Sequence, residues 1–444
     1  MSSPYPITIF TLPKIKAAAE LLESNIKLRR LRSYITMNYP TLKAFGLQAQ
    51  QHIQETQGEH EARKTAGFPE FEATMPFLPT RSGSLSDNLS SYLGKRNPFY
   101  RNVEANKHTV WLFDNTASRP APNKPWQAEF VAAYFIKSSG RDVSTIVADI
   151  AEKIGIAKGD KAEATIAERI QPLLDTICPA HSVTIDAVGA GIKRLGPSSR
   201  DGVSNDIIQL RGDFADGHTA ISDATISVTP QPMTTTFADA TGWAVISDVD
   251  DTIKKTMTAS PVGILKTTFA DDPEPIAGMP ELYKYVVQKL DNPPFWYLSA
   301  SPYNLYTFLR SFRETYYPPG TLLLREASWW NLAGFLASLT QGTQAYKVDN
   351  MEKIHKDFPK RKFLCIGDST QSDPETYGEM ARRHPGWIGG IFIRRVQNVT
   401  ATEGNDQNHS ERFEKAFKDV PTNIWHVFDD PSELYDWIDN LLAA

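Results

Sequence analysis

The chain has 444 residues, with 47 Lys and Arg against 52 Asp and Glu and a formal net charge of −5. That balance excludes a protein held to nucleic acid by its net field, and the length suits two or three domains with sizeable cores. Two cysteines, Cys178 and Cys365, exclude a disulfide framework, and no apolar run approaches the roughly 20 residues that span a bilayer. The N-terminal MSSPYPITIFTLPKIK has no sustained apolar core after a basic start, so no secretory signal is read there. A cytoplasmic protein is expected, one that meets a membrane only from the water side.

Residues 1–95 read as a helical N-terminal segment and linker. Ile15, Ala18, Ala19, Leu22 and Ile26 recur at helical spacing, and Lys27, Arg29, Arg30 and Arg32 follow. Such a helix docks on a neighbouring domain or lies on anionic lipid. The polar stretch from Gln50 to Lys64 and the serines beyond it read as an exposed helix and linker. No internal repeat is present, which argues against a solenoid.

Residues 96–233 read as a β-rich accessory domain. Strands are predicted at Val110–Phe113, Glu129–Phe135, Ser182–Ile185 and Ala224–Val228. Between Asp142 and Leu174 the isoleucines at 146, 150, 154, 166 and 170 predict two helices, or one broken at Gly159. His108, His181 and His218 lack metal-ligand spacing, and no catalytic set is found in this region.

Residues 234–444 alternate strand and helix patterns. Strands near Val245, Trp296, Leu323, Leu364, Ile391 and Trp425 are separated by helical stretches at 280–290, 302–315, 348–358 and 375–383. This predicts a doubly wound parallel sheet with right-handed crossovers and helices on both faces. Asp430 with Pro431 reads as the cap and first position of the last helix.

The chemistry-bearing residues fall at the ends of these strands. Trp243-Ala244-Val245-Ile246 is a buried-strand pattern, and Asp248-Val249-Asp250-Asp251-Thr252 follows it. Carboxylates crowded at a strand end repel unless a divalent cation or a shared proton compensates them. A hard cation, a phosphorylated substrate and an aspartate nucleophile are the simplest chemistry that uses them, and a solvated acidic turn is the plainer alternative. Ser299 follows Phe295–Leu298 and can donate to a phosphate oxygen, or merely cap a helix. Lys347 opens a helical pattern and is either a compact cation for a phosphoryl group or a surface lysine. Phe363–Ile366 leads into Gly367-Asp368-Ser369-Thr370-Gln371-Ser372-Asp373, whose carboxylates suit a magnesium ion.

The ordered set resembles the haloacid-dehalogenase-like phosphohydrolase superfamily. More closely, WAVISDVDDTIKKT (243–256), YLSASP (297–302) and IGDSTQSDPE (366–375) are similar to the catalytic domain of the fungal actin-patch-associated phosphatidate phosphatase family. LFDNTASR, WQAEFVAAYF and ERIQPLL, between 111 and 174, are similar to the region preceding that domain. The resemblance implies a Mg²⁺-dependent hydrolysis of phosphatidate to diacylglycerol and phosphate. It assigns Asp248 as nucleophile, Asp250 as general acid and base, and Thr252 as a brace. Ser299, Lys347 and Arg394 would hold the phosphoryl group or substrate. Asp248, Asp368 and the Asp250 carbonyl would hold the metal, with Asp373 in support.

Cytoskeletal or endocytic partners, at cortical actin patches, are implied by the same family. Two departures stand out: the chain stops soon after Trp437 without a long Pro-rich tail, and Arg395 occupies a position where an acidic residue is expected. The gaps of some 45 residues between Asp248, Ser299 and Lys347 leave no room for a large cap domain, so a bulky or membrane-embedded phosphomonoester can approach. Phosphatases of soluble phosphomonoesters or phosphoproteins share this residue set, and a non-catalytic trafficking or cytoskeletal adaptor is a third class that the intact motifs disfavour.

Overall fold

The computed structural model of the chain describes residues 100–137, 139, 144–155, 161–199, 202–325, 343–397 and 407–443. The helix expected over 15–32 and the linker after it lie outside the described residues, as does Gly159.

The first half of the described chain builds a nine-stranded, mostly antiparallel sheet. Its strands are β1 (Arg101–Asn102), β2 (His108–Leu112), β3 (Asn115–Ser118), β4 (Trp126–Ile136), β5 (His181–Ala187), β6 (Gly191–Leu195), β7 (Val203–Leu210), β8 (Thr219–Ala224) and β9 (Met233–Ala238). Two helices, α1 (Ser144–Lys153) and α2 (Lys161–Leu174), interrupt it. Alternation along β2 and β4 divides their side chains between two cores. Val110, Leu112, Phe130, Ala132 and Tyr134 point into the β-rich core, with Val183, Ile185 and Phe237. Trp111, Ala133 and Phe135 point the other way, onto Val147, Ile150, Ile166 and Ile170 of the helices and Tyr303 and Tyr306 of the second half.

One predicted strand is misplaced. The segment Ala224–Val228 is not a strand; the strand ends at Ala224 and begins at Thr219. The Asp223 carboxylate accepts from Ala224 N and Thr229 Oγ1, which turns the chain out of the ladder.

The second half is a six-stranded parallel sheet of β10 (Trp243–Asp248), β11 (Phe295–Pro302), β12 (Thr321–Arg325), β13 (Lys362–Asp368), β14 (Ile388–Arg394) and β15 (Trp425–Phe428). Its order is β12-β11-β10-β13-β14-β15. The flanking helices are α3 (Pro261–Leu265), which runs into a π-helical turn at Lys266–Ala270, α4 (Met279–Lys289), α5 (Tyr306–Tyr316), α6 (Thr343–Asp357), α7 (Asp373–Arg383), α8 (Ser410–Ala416) and α9 (Leu434–Ala443). Val245, Tyr297, Leu364 and Phe392 bury one face against α4, α5 and α9. Ala244, Ile246, Trp296, Phe363, Cys365 and Ile391 bury the other against α6, α7 and α8. With both faces covered, the strands read as continuous apolar runs. Asp430 caps the turn before α9 in a reciprocal box with Glu433.

The chain turns away from β10 in opposite directions on its two sides, to β11 on one and to β13 on the other. Ligands of such sheets bind outside the strand ends at this reversal. Asp248 ends β10 and Asp368 ends β13, so the acidic motifs meet there.

The two halves are joined by buried ions. Asp114, between β2 and β3, pairs with Arg310 Nε and Arg313 Nη2 of α5, each at 3.0 Å. Its other oxygen accepts from Thr234 N at 2.8 Å, and its backbone N donates to Tyr306 Oη at 2.7 Å.

Candidate active site at the strand reversal

Lys347 lies in the second turn of α6 and points into the reversal, fully buried. Its Nζ pairs with Asp248 Oδ1 at 2.7 Å and with Asp373 Oδ1, and it donates to Gln371 Oε1 at 3.3 Å. Thr252 Oγ1 donates to the other Asp248 oxygen at 3.1 Å. Asp373, the first residue of α7, also accepts from Asp368 N at 3.1 Å through Oδ2. Gly367 makes this approach possible. A Cβ there would lie 2.6–2.7 Å from the Asp373 side chain, so a larger residue would displace the carboxylate.

Asp368 presents one engaged oxygen and one orphan. Its Oδ1 accepts from Thr370 N at 2.6 Å and from Thr370 Oγ1, while its Oδ2 is buried without a hydrogen-bond partner. Carboxylate oxygens of Asp248, Asp368 and Asp373 lie within 4.8 Å of one another. Burial, reinforced by Asp373 and Asp251, pushes the Asp368 carboxyl up to about 8. Burial also holds Asp248 well above the usual carboxylate range despite Lys347. Burial disfavours the Lys347 ammonium, yet Asp248, Asp373 and Asp368 outweigh it and keep that lysine charged.

Asp250 is held from two sides. Ser299 Oγ donates to its Oδ2 at 2.6 Å and Thr256 Oγ1 to its Oδ1 at 2.8 Å. Asp251 points away from this group and shapes the loop. Its Oδ1 accepts from Thr256 N and Met257 N at 2.9 and 2.8 Å, and its Oδ2 from Thr258 N and Oγ1 at 2.7 and 2.6 Å. Arg394, half-buried at the end of β14, donates to the Asp251 carbonyl at 2.7 Å, so it props the loop at the rim. Arg395 is turned outward, to Asp429 at 2.7 Å.

The residues singled out by the sequence motifs, Asp248, Asp250, Thr252, Ser299, Lys347, Asp368 and Asp373, are all buried at one strand reversal. Thr256, Thr258, Thr370, Gln371 and Arg412 join them only in the fold. Thr256 and Thr258 lie just past the acidic motif, where hydroxyls able to reach carboxylates are a usable signal. Arg412 had none: from α8 it pairs with both Glu375 oxygens and donates to the carbonyls of Ser369 and Gln371, bracing the acidic loop across 40 residues of chain.

A second group, Glu352, His355 and His384, also brings possible ligand atoms within 4.8 Å. Its imidazoles stack at 3.6 Å, and Glu352 is already engaged by Arg383 and His384. The acidic cluster is the better cation site.

Residues 243–395 match the family model described as the catalytic domain of the phosphatidate phosphatase APP1. That segment is similar to the catalytic domain of this family. Over 252 residues the chain is 30% identical to the phosphatidate phosphatase APP1 of Saccharomyces cerevisiae, an alignment covering 54% of this chain and 42% of the relative. An uncharacterized protein of Schizosaccharomyces pombe is 28% identical over 165 residues, or 36% of this chain and 26% of its own length. The chain therefore matches less than half the length of either relative. The family segment runs from the first residue of β10 to Arg395, just past β14, and so contains every motif residue described above. Among the described residues, no helix is long and apolar enough to cross a membrane.

Proposed function

We propose that this chain is a Mg²⁺-dependent phosphatidate phosphatase, releasing diacylglycerol and phosphate on a haloacid-dehalogenase-like domain spanning 234–444. The observation that carries the reading is the buried Asp248–Lys347–Asp373–Asp368 cluster inside the segment matching the family model. Residues 96–233 would serve as an accessory domain. The protein would work at a cytoplasmic membrane surface from the water side, with cytoskeletal or endocytic partners of the kind the family resemblance implies.

The donor set fits magnesium. Every candidate ligand is an oxygen, and Asp368 Oδ2 is a buried acceptor with no partner. The side chains of Asp248 and Asp368 and the Asp250 carbonyl would hold the ion, with Asp373 keeping Lys347 and the Asp368 backbone in place. When bound, magnesium supplies positive charge to the crowded carboxylates and to the transferring phosphoryl group.

The Asp248 carboxylate attacks phosphorus as the bond to the lipid alkoxide breaks, giving an aspartyl-phosphate. Asp250 gives its proton to the leaving alkoxide, then takes one from the water that hydrolyses the acyl-phosphate. Ser299 and Lys347 steady the phosphoryl oxygens, over which the transition-state charge is spread. Thr252 orients the Asp248 carboxylate, and Arg394 holds the loop that carries these groups.

Phosphate release tests the reading, with phosphatidate in mixed micelles compared with soluble phosphomonoesters and a phosphopeptide. Phosphatidate is expected to be the preferred substrate, with activity lost in EDTA and restored by Mg²⁺. Preference for a soluble ester would replace the substrate class while leaving the chemistry. Full activity in protein proven metal-free by elemental analysis would overturn the metal assignment.

A further inference from the structure

The loop that Asp251 organises presents apolar side chains to solvent beside the acidic cluster. Met257 is 45% exposed and Val262 is 47% exposed, whereas most large apolar residues of the parallel-sheet half are buried. Exposed isoleucines at 192, 207, 221 and 226 belong to the β-rich half, and Leu442 to the last helix. Isolated exposed apolar residues are ordinary and need no explanation. Two further observations set Met257 and Val262 apart.

First, Met257 is held in the left-handed region at φ 60°, a conformation that glycine adopts far more easily. The hydrogen bonds from Thr256 N, Met257 N and Thr258 N to Asp251 enforce it. A strained non-glycine residue over-determined by its surroundings points to a use for its side chain. Methionine is also the apolar side chain that adapts best to an irregular surface.

Secondly, the loop is continuous with the site. Thr258 Oγ1 lies 2.8 Å from Thr370 Oγ1, and Thr370 donates to the Asp368 carboxylate. Met257 packs beside Gly263, the residue that follows Val262: an added Cβ there would come within 2.7 Å of the Met257 Cβ. Lys266 is exposed one turn after Val262, at the i,i+4 position, which adds a cation to the same edge.

We propose that Met257 and Val262 form an apolar lip that inserts into an anionic lipid surface and sets the acidic cluster against it, with Lys266 meeting the headgroups. This rests on the lipid-substrate reading above. Interfacial binding of this kind scales with buried apolar area and with attraction to anionic lipid.

The test uses the full chain and phosphatidylcholine vesicles carrying phosphatidate as a minor component. Co-sedimentation and hydrolysis are measured beside hydrolysis of a short-chain phosphatidate kept below its micellar concentration. Met257→Glu with Val262→Glu is expected to lower vesicle partitioning and vesicle hydrolysis by about tenfold or more, leaving the soluble substrate unaffected. Met257→Gly relieves the backbone conformation, so it should melt no lower than the natural protein and still lose partitioning. Unchanged sedimentation of the double variant would overturn the proposal, as would equal losses on vesicle and soluble substrates. If the natural protein hydrolyses neither substrate, the substrate reading fails, and the sedimentation difference alone decides the lip.

Discussion

Asp114 and Asp368 are both buried carboxylates, and they sit in opposite halves of the molecule with opposite degrees of satisfaction. Asp114, between β2 and β3, is fully engaged by Arg310, Arg313 and Thr234 N. Asp368, at the parallel-sheet reversal, keeps Oδ2 unpartnered and lies beside Asp248 and Asp373, with Lys347 the lysine at their centre. A saturated buried ion joins elements. An unsaturated cluster, in which burial and like charge raise Asp248 and Asp368, is where we propose that a cation and a phosphoryl group are accommodated.

The sharpest way to break this comparison is to remove one carboxylate from each half. Asp248→Asn should lower turnover by several powers of ten, each corresponding to about 1.4 kcal/mol of barrier. Its melting temperature should stay close to that of the natural protein, because one member of a repelling group is neutralised. Steady-state phosphate release with a parallel thermal melt checks both parts. Asp114→Ala should do the reverse. Stranding Arg310 and Arg313 without their buried partner should cost about 3–5 kcal/mol of stability, read by denaturant titration, while the folded fraction keeps its catalytic groups.

A smaller effect is expected where the loop is braced rather than where chemistry occurs. Thr258→Val removes the hydroxyl that donates to Asp251 and meets Thr370. A stability loss of about 1–2 kcal/mol is expected, with a modest fall in turnover, measured on the same two assays. A loss as large as that of Asp248→Asn would mean that Thr258 takes part in the chemistry.

The smallest predicted effect belongs to the β-rich half and depends on pH. His108 is held below its ordinary value of 6.5, chiefly by burial, and its Nδ1 accepts from Glu104 N, a bond that requires that nitrogen unprotonated. A depressed histidine is neutral in the fold, so its contribution is present above the unfolded value and is lost as pH falls through 6.5 towards the folded value. Melting temperature should therefore drop below about pH 6.5, and His108→Gln should flatten that drop. Equal slopes in the two proteins would remove His108 from the account.

The two halves also differ in how far the sequence discloses them. Parallel strands buried on both faces announce themselves as apolar runs such as Phe295–Leu298 and Phe363–Ile366, with chemistry-bearing residues at their ends. Hence all six strands are legible, and the candidate residues Asp248, Ser299 and Asp368 are legible from their place towards the ends of those strands, whereas Lys347 sits on a helix. The β-rich half hides its ladders. β9, with three consecutive threonines, is held mainly by partners far along the chain, and β6 has four exposed residues of five. Neither pattern carries a strong local signal. The brace from Arg412 to the acidic loop was illegible for the same reason: only the folded chain brings α8 against residues 369–375.

The most direct test of the account is where the phosphoryl group goes. A single turnover with phosphatidate labelled in its phosphate, run with Mg²⁺, is quenched in acid, and the protein is digested and mapped. Label is expected on the peptide bearing Asp248 and absent from Asp248→Asn. Phosphate released at the same rate with no protein-bound label at any quench time, or label on a peptide lacking Asp248, would contradict it.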